Sequence, residues 1–371
     1  MDAARSEHTA WPTPTTILHV IECWGGGVST AVMSYIRATP HLAHWLITAP
    51  RRGEVVKAEP MAALRGRLAL PAGHLARINA IGRAYARLKP DVVHAHSSFA
   101  GLYVRTCRSI PASRIVYTPH CYAFERADVP RALRTVFRTT EAVLARRTGT
   151  VAAVSPREAS LATALHRAQR VVYVPNAASS SLAPFRVRVT DRPMRAVTVG
   201  RICAQKDPHF LARAARIRDD SISWAWIGDG DARLRHVLES AGVHVTGWLP
   251  HREVIEQLRA ADVYIHSALW ESAPMSLLEA VAAGLPVVAR DIPALRVLGI
   301  PNLARTPTDL ATAVAELADP ASWQKAASQI RAALRDNTVE NLADRLTYAY
   351  AGLRGESTER RAQWLTTSGS R

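Results

Sequence analysis

No run of 18 apolar residues occurs anywhere in this 371-residue chain, so no membrane-spanning helix is expected. The opening segment, Met1 to Pro14, is polar and lacks the apolar core of a signal peptide. The four cysteines, Cys23, Cys107, Cys121 and Cys203, include no Cys-x-x-Cys pair. That spacing disfavours a zinc site or a disulfide framework. Zinc-finger spacing, an RRM signature and a basic-zipper pattern are also missing, so nucleic acid is not expected as a partner. Lysine is scarce too: Lys57, Lys89, Lys206 and Lys325 stand against 43 arginines. The chain reads as cytoplasmic, and its length suggests two domains with ample core.

What is present is basic charge, unevenly spread. Residues 1–185 carry 23 Lys and Arg against 10 Asp and Glu, whereas residues 186–371 carry 24 against 21. A front half of this sign attracts phosphorylated substrates or anionic membranes. Two segments concentrate the charge. In His74–Leu88, a stripe of Leu75, Ile78, Ile81, Tyr85 and Leu88 predicts a helix packed on a sheet, with Arg77, Arg83 and Arg87 off the stripe. In Arg131–Arg138, Arg131, Arg134 and Arg138 share a face. Core packing with solvated charges and docking on anionic lipid both remain open for this second segment.

Short β-branched runs alternate with helical patterns, the signature of parallel α/β layers. Strands are expected at Ile17–Ile21, Asp91–His96, Ile115–Thr118, Thr150–Val154 and Arg170–Val174. A second series follows at Arg195–Val199, Ser223–Ile227, His244–Thr246, Val263–His266 and Pro286–Ala289. Glycine and polar residues cluster after the strand ends, where open α/β sheets bind ligands. Two such halves facing each other would enclose one cleft. The expected organisation is an extension at 1–14, a first domain at 15–180 and a linker at 181–194. A second domain follows at 195–337, then a helix at 338–354 crossing back to the first domain and a disordered tail at 355–371.

Two constellations carry chemistry. In Glu271-Ser-Ala-Pro-Met-Ser-Leu-Leu-Glu279, a loop after a strand runs into a helix, with Glu271 at its mouth and Glu279 about two turns in. Amides at the start of a helix suit phosphate or sugar oxygens, and flanking carboxylates can accept from sugar hydroxyls. In Gly200-Arg201-x4-Lys206, a guanidinium fork and an ammonium could neutralise a diphosphate. Charge builds on a departing diphosphate in the transition state, and preorganised cations stabilise it there.

These motifs occur in order with Ile227-Gly-Asp-Gly230, Val245-Thr-Gly-Trp-Leu249 and Ala261-Asp-Val-Tyr-Ile-His266. The set resembles the nucleotide-binding half of family 4 retaining glycosyltransferases, of GT-B fold. Gly25-Gly-Gly27, His94-Ala-His96, Tyr117-Thr-Pro-His120, Ala153-Val-Ser155 and Val174-Pro-Asn176 extend the likeness over roughly residues 15–350. The resemblance implies two Rossmann-like domains with parallel sheets facing across an interdomain cleft. It implies that Arg201 and Lys206 hold the donor diphosphate and that Glu279 accepts from the ribose. Glu271 and the segment Pro274, Met275 and Ser276 would contact the donor sugar. Gly228, Gly230, Trp248 and Leu249 would lie near the base. Gly26 and Gly27 would let the front-half backbone approach, and His120 would sit beside the transferred sugar. His120, Arg201, Lys206 and Glu271 form the expected catalytic set; His19, His94 and His96 are expected to cap or pack.

The resemblance implies a nucleotide-sugar donor, with UDP favoured. No catalytic metal or cofactor is expected, because no Asp-x-Asp pair for Mg²⁺ stands out near a strand end. Front-face attack is favoured, the departing diphosphate oxygen helping to take the acceptor proton. The basic front half points to a lipid-linked or polysaccharide acceptor at the inner face of the cell membrane. Three positions depart from the family pattern: Cys121 stands where Gly is common, Ala177-Ala178 replaces a Gly-Ile/Val-Asp ending, and Phe99 stands where Lys is frequent. A nucleotide-sugar epimerase and a non-catalytic nucleotide-binding relative are the alternative readings.

Overall fold

The computed structural model describes residues 16–50, 63–178, 192–217 and 221–351. The expected extension, most of the linker and the tail lie outside the described residues. Seven parallel strands form the first sheet: β1 (Thr16–Trp24), β2 (Ala43–Pro50), β3 (Leu64–Ala69), β4 (Val92–His96), β5 (Ile115–Thr118), β6 (Thr150–Ala153) and β7 (Val171–Tyr173). Their order is β3-β2-β1-β4-β5-β6-β7. Six parallel strands form the second: β8 (Met194–Val199), β9 (Ile222–Ile227), β10 (His244–Val245), β11 (Val263–His266), β12 (Val287–Arg290) and β13 (Leu303–Ala304). Their order is β10-β9-β8-β11-β12-β13.

Each order reverses direction once. The reversal falls between β1 and β4, which pair His19 with His94, and between β8 and β11, which pair Ala196 with Val263. Loops leaving the carboxyl ends on either side of such a reversal diverge and leave a crevice for a ligand. Apolar clusters cover both faces of the second sheet, one around Trp226, Phe210 and Trp323 and one around Tyr264, Leu277 and Val287. Ala31, from the helix Gly26–Ala38, packs into the latter cluster, so apolar burial joins the two domains.

Strands β2, β3 and β13 were not expected from the sequence. β2 carries polar His44 and Thr48, yet both are buried. β3 lies at the sheet edge and alternates half-buried and exposed positions through two arginines and a glycine, a pattern that an edge tolerates and a hydrophobicity reading passes over. The helix His74–Leu88 forms as expected and buries Ile81, but Leu75 points to solvent at 77% exposure. The helix Arg131–Ala145 is held down at its far end, where Glu141 pairs with buried Arg105 at 2.8 Å and accepts from the Tyr117 hydroxyl at 3.0 Å.

The helix Val339–Ala351 lies against the first domain, burying Leu342, Leu346, Ala349 and Tyr350 beside Ile17, Tyr35 and Val116. The Tyr350 hydroxyl meets His94 Nδ1 at 2.9 Å. Removing that ring opens a cavity and orphans a buried nitrogen. Tyr350→Ala should therefore cost about 3–5 kcal/mol, and Tyr350→Phe about 1–3 kcal/mol. Urea denaturation checks both; an unchanged stability in Tyr350→Phe would mean that the hydroxyl contributes nothing.

Candidate active site

The Gly200–Lys206 loop leaves β8 and the Glu271 loop leaves β11, so the second sheet's reversal brings the two constellations together. Lys206 Nζ lies 2.5 Å from Glu271 Oε1, both side chains mostly buried. Arg201 stands exposed in a cavity of about 600 Å³ that Arg126 and Asp128 of the first domain also line, with Cys203, Gln205 and Trp270. The Arg201 fork is thus open to the cleft, while the Lys206 ammonium is already pinned.

Glycine permits this loop to fold. Gly228 sits at φ 136°, and a Cβ there would fall 2.3 Å from the Gly200 carbonyl oxygen. At Gly230 a Cβ would lie 2.1 Å from Ile202 O. Only backbones without side chains can approach this closely. In this structure both glycines shape the Arg201 loop.

The second glutamate sits elsewhere than expected along its helix. The helix is Met275–Ala282 with Pro274 as its cap, so Glu279 lies one turn in rather than two. The first intrahelical donor is Leu277, to Pro274 O, which leaves the Met275 and Ser276 amides ahead of the helix's own bonding. The Met275 side chain is buried in the core, so this residue can offer a ligand only its backbone. The Ser276 hydroxyl turns inward to the Tyr264 hydroxyl at 2.7 Å. Glu279 is 7% exposed and takes His251 Nε2 at 2.9 Å. His251, two residues beyond the Gly247-Trp248-Leu249 turn, was missed from sequence. Trp248 is 41% exposed there, while Leu249 packs on the core.

The glutamate loop is also held from the first domain. Ser272 donates to Glu158 Oε2 at 2.9 Å and lies 3.0 Å from the Ser155 hydroxyl. Asn176 donates to Ala273 O at 2.9 Å and accepts from the Tyr35 hydroxyl at 3.3 Å. Glu158 also accepts from Cys121 N and Val154 N, while burial raises its pKa to about 7. Neither Glu158 nor Ser272 stood out in the sequence. Asn176 did so only as the end of Val174-Pro-Asn176.

On the first domain, Gly26 (φ 70°) opens the helix after β1, and a Cβ at Gly27 would meet nothing within 4 Å. His120 and Cys121 follow β5 with φ of 50° and 80°. Cys121 therefore occupies a left-handed position where glycine is favoured, fastened by its amide to Glu158. Burial pushes the His120 pKa down to about 3, so the ring is neutral at working pH. Phe99, 47% exposed, stacks near His74 and Tyr103.

His19, His94 and His96 are wholly buried on one face of the first sheet. One nitrogen from each lies within 4.8 Å of the others, but all six ring nitrogens already have hydrogen-bond partners. The expectation of no metal also passed over Asp229-Gly-Asp231 beyond β9. Asp231 caps the helix Ala232–Glu239, and Asp229 pairs with Arg235 at 2.9 Å. Both carboxylates are thus engaged within the fold.

Burial lowers the pKa values of His19, His44, His94, His96 and His120 below the ordinary 6.5. The unfolded chain takes up these protons below pH 6.5, and the folded chain does not. Stability should be full above about pH 6.5 and fall as pH drops toward 3, by up to about 1.4 kcal/mol per pH unit for each histidine. Urea midpoints at pH 7 and pH 5 check this; equal midpoints would mean that the rings protonate within the fold.

Two family models match the chain. One, described as a glycosyl transferase 4-like domain, covers residues 26–177; the other, glycosyl transferases group 1, covers residues 193–320. An uncharacterised 41.2 kDa protein in the cps region of Klebsiella pneumoniae is 25% identical over 295 residues, 75% of this chain and 82% of that one. UDP-Gal:alpha-D-GlcNAc-diphosphoundecaprenol alpha-1,3-galactosyltransferase of Escherichia coli is 25% identical over 232 residues, 55% of this chain and 58% of that enzyme. Among solved structures, Anabaena HepE in complex with UDP-glucose superposes with a TM-score of 0.70 at 15% identity, over 95% of this chain and 99% of HepE. Sucrose-phosphate synthase from Thermosynechococcus elongatus has a TM-score of 0.69 at 18% identity, over 96% and 100%. These structural likenesses bear on the fold.

Proposed function

The chain belongs to the family 4 glycosyltransferases of GT-B fold, and from that membership we propose a retaining, metal-independent transfer of a hexosyl or N-acetylhexosaminyl unit from a UDP-sugar. The acceptor is a hydroxyl of a lipid-linked or polysaccharide chain. The observation that carries this reading is the Lys206–Glu271 contact beside Arg201, at the reversal of the second sheet. A cation suited to a diphosphate and a carboxylate suited to a sugar hydroxyl meet there. In the reaction, the bond from the anomeric carbon to the diphosphate oxygen breaks and a bond to the acceptor oxygen forms on the same face. The acceptor proton goes to the departing diphosphate. Arg201 and Lys206 stabilise the charge that develops there, Glu279 takes the ribose hydroxyls, and neutral His120 contacts the sugar without adding charge. The UDP-sugar assignment draws support from the names of the Escherichia coli relative and the HepE complex.

Lys206→Ala should lower kcat by ~10²–10³-fold and change the acceptor KM far less, with the wild-type rate retained in chelator. A thermal-shift series with UDP, GDP, ADP and TDP should show stabilisation by UDP, lost in Glu279→Ala and Lys206→Ala. No stabilisation by any nucleotide would remove the donor site. Donor turnover without acceptor would instead favour an epimerase.

The acceptor reading rests on the first domain's surface. The front half has 13 more basic than acidic residues. On the helix Arg131–Ala145, Leu133, Val136 and Val143 are 39%, 57% and 61% exposed and fall on one side at helical spacing. Arg131 and Arg138 are exposed on another side of the same helix, more than a quarter turn from that stripe. An exposed apolar stripe on a helix that also carries exposed arginines suits the boundary of an anionic bilayer, where a lipid-linked acceptor would be met. The protein should sediment with anionic vesicles at low salt and release at high salt. Val136→Asp with Val143→Asp should abolish the binding, and no sedimentation of the wild type would indicate a soluble acceptor.

A further inference from the structure

Four histidines stand in series across neighbouring strands of the first sheet, from β2 to the loop after β5. At one end, the Thr39 hydroxyl donates its only proton to Tyr35 O at 2.8 Å. His44 Nε2 therefore faces two acceptors, Thr39 O at 2.9 Å and Thr39 Oγ1 at 3.2 Å. It must carry a proton, and in a neutral ring His44 Nδ1 then carries none. That nitrogen lies 3.0 Å from His19 Nε2, which must donate to it. His19 Nδ1 is then an acceptor, 3.0 Å from His96 Nε2. His96 Nδ1 is in turn an acceptor, 3.2 Å from His120 Nε2. Each ring passes the same polarity to the next. His94, beside the series, reaches the same state from a second anchor: the Thr118 hydroxyl donates to Ala152 O at 2.9 Å, so His94 Nε2 donates to Thr118 at 2.8 Å.

We propose that Thr39, acting through His44, His19 and His96, fixes the tautomer of His120, so that His120 holds its proton on Nε2 and offers Nδ1 as a lone pair to a donor-sugar hydroxyl. The role toward the sugar rests on the donor-site reading above; the tautomer does not. Burial keeps every member neutral, which the series requires, since a second proton on any ring would set two donors face to face. His44, His19 and His96 are positioning residues: they hold His120 as an acceptor and withhold it from acting as an acid.

The test is two-bond ¹H–¹⁵N correlation on ¹⁵N-histidine-labelled full chain at pH 7.5, with His120 assigned through His120→Asn. All five rings should show the Nε2–H tautomer. An Nδ1–H or doubly protonated His120 overturns the proposal, and because no nucleotide is present this result is independent of donor binding. His44→Gln supplies a carbonyl for His19 and an amide for Thr39, and should retain the His120 tautomer. His44→Leu removes the anchor and should leave His120 a mixture of tautomers, with kcat reduced about tenfold and acceptor KM unchanged. A pure Nε2–H signal in His44→Leu shows that Thr39 is not the source. Should that variant not fold, the wild-type spectrum still decides the His120 tautomer. Adding a UDP-sugar that stabilises the protein should move His120 Nδ1 more than Nε2; an unmoved Nδ1 removes the contact. One equivalent of Zn²⁺ should leave the signals in place, whereas shifts at His19, His94 and His96 would make the cluster a metal site and overturn the series.

Discussion

The structure depends on how the glutamate loop is gripped. Residues 272 and 273 belong to the second sheet by connection, yet their hydrogen bonds run to Glu158, Ser155 and Asn176 of the first domain. These groups are buried, so parting the domains would leave a carboxylate, two hydroxyls and an amide seeking water. The groups that hold the domains together thus hold the loop that carries Glu271. Lys206 is placed in turn by Glu271, and the Arg201 loop by the backbone approach at Gly228 and Gly230. Domain arrangement and site geometry are one constraint seen from two sides.

The two sheets contribute in different ways. In the second, the reversal between β8 and β11 sets charged groups facing one another, with little desolvation of the exposed Arg201 fork. In the first, the strands around the reversal bury imidazoles where an ordinary parallel sheet carries Val and Ile. Polar groups inside a sheet are tolerated only when fully bonded, and here both nitrogens of His19, His94 and His96 are engaged. One half of the cleft supplies charge; the other supplies oriented neutral dipoles.

Much of this was readable in the sequence, and the reason is locality. Gly200-Arg201-x4-Lys206 and Glu271-x7-Glu279 each sit within a single strand–loop–helix unit, so spacing alone places their residues. Strands β5 and β11 kept the expected limits for the same reason. Pairings that cross strands or domains leave no spacing to read. His44, His19, His96 and His120 lie far apart in the chain and meet only through sheet register. His251 reaches Glu279 from another helix. The charged edge strand β3 and the polar residues of β2 hid two strands whose burial is decided by their neighbours. Asp229-Gly-Asp231 shows the converse, since a pair with metal-like spacing is used for capping and an ion pair.

The helix Val339–Ala351 has a consequence for biosynthesis. It is the last described element, yet it completes the apolar layer over β1, β5 and β6 and supplies the hydroxyl that meets His94. The first half to leave the ribosome therefore cannot finish its own interior and must wait, with an uncovered sheet face, until the far end of the chain is released. Domains usually fold in the order of synthesis; here the earlier one is sealed by a helix that follows the second domain in the chain.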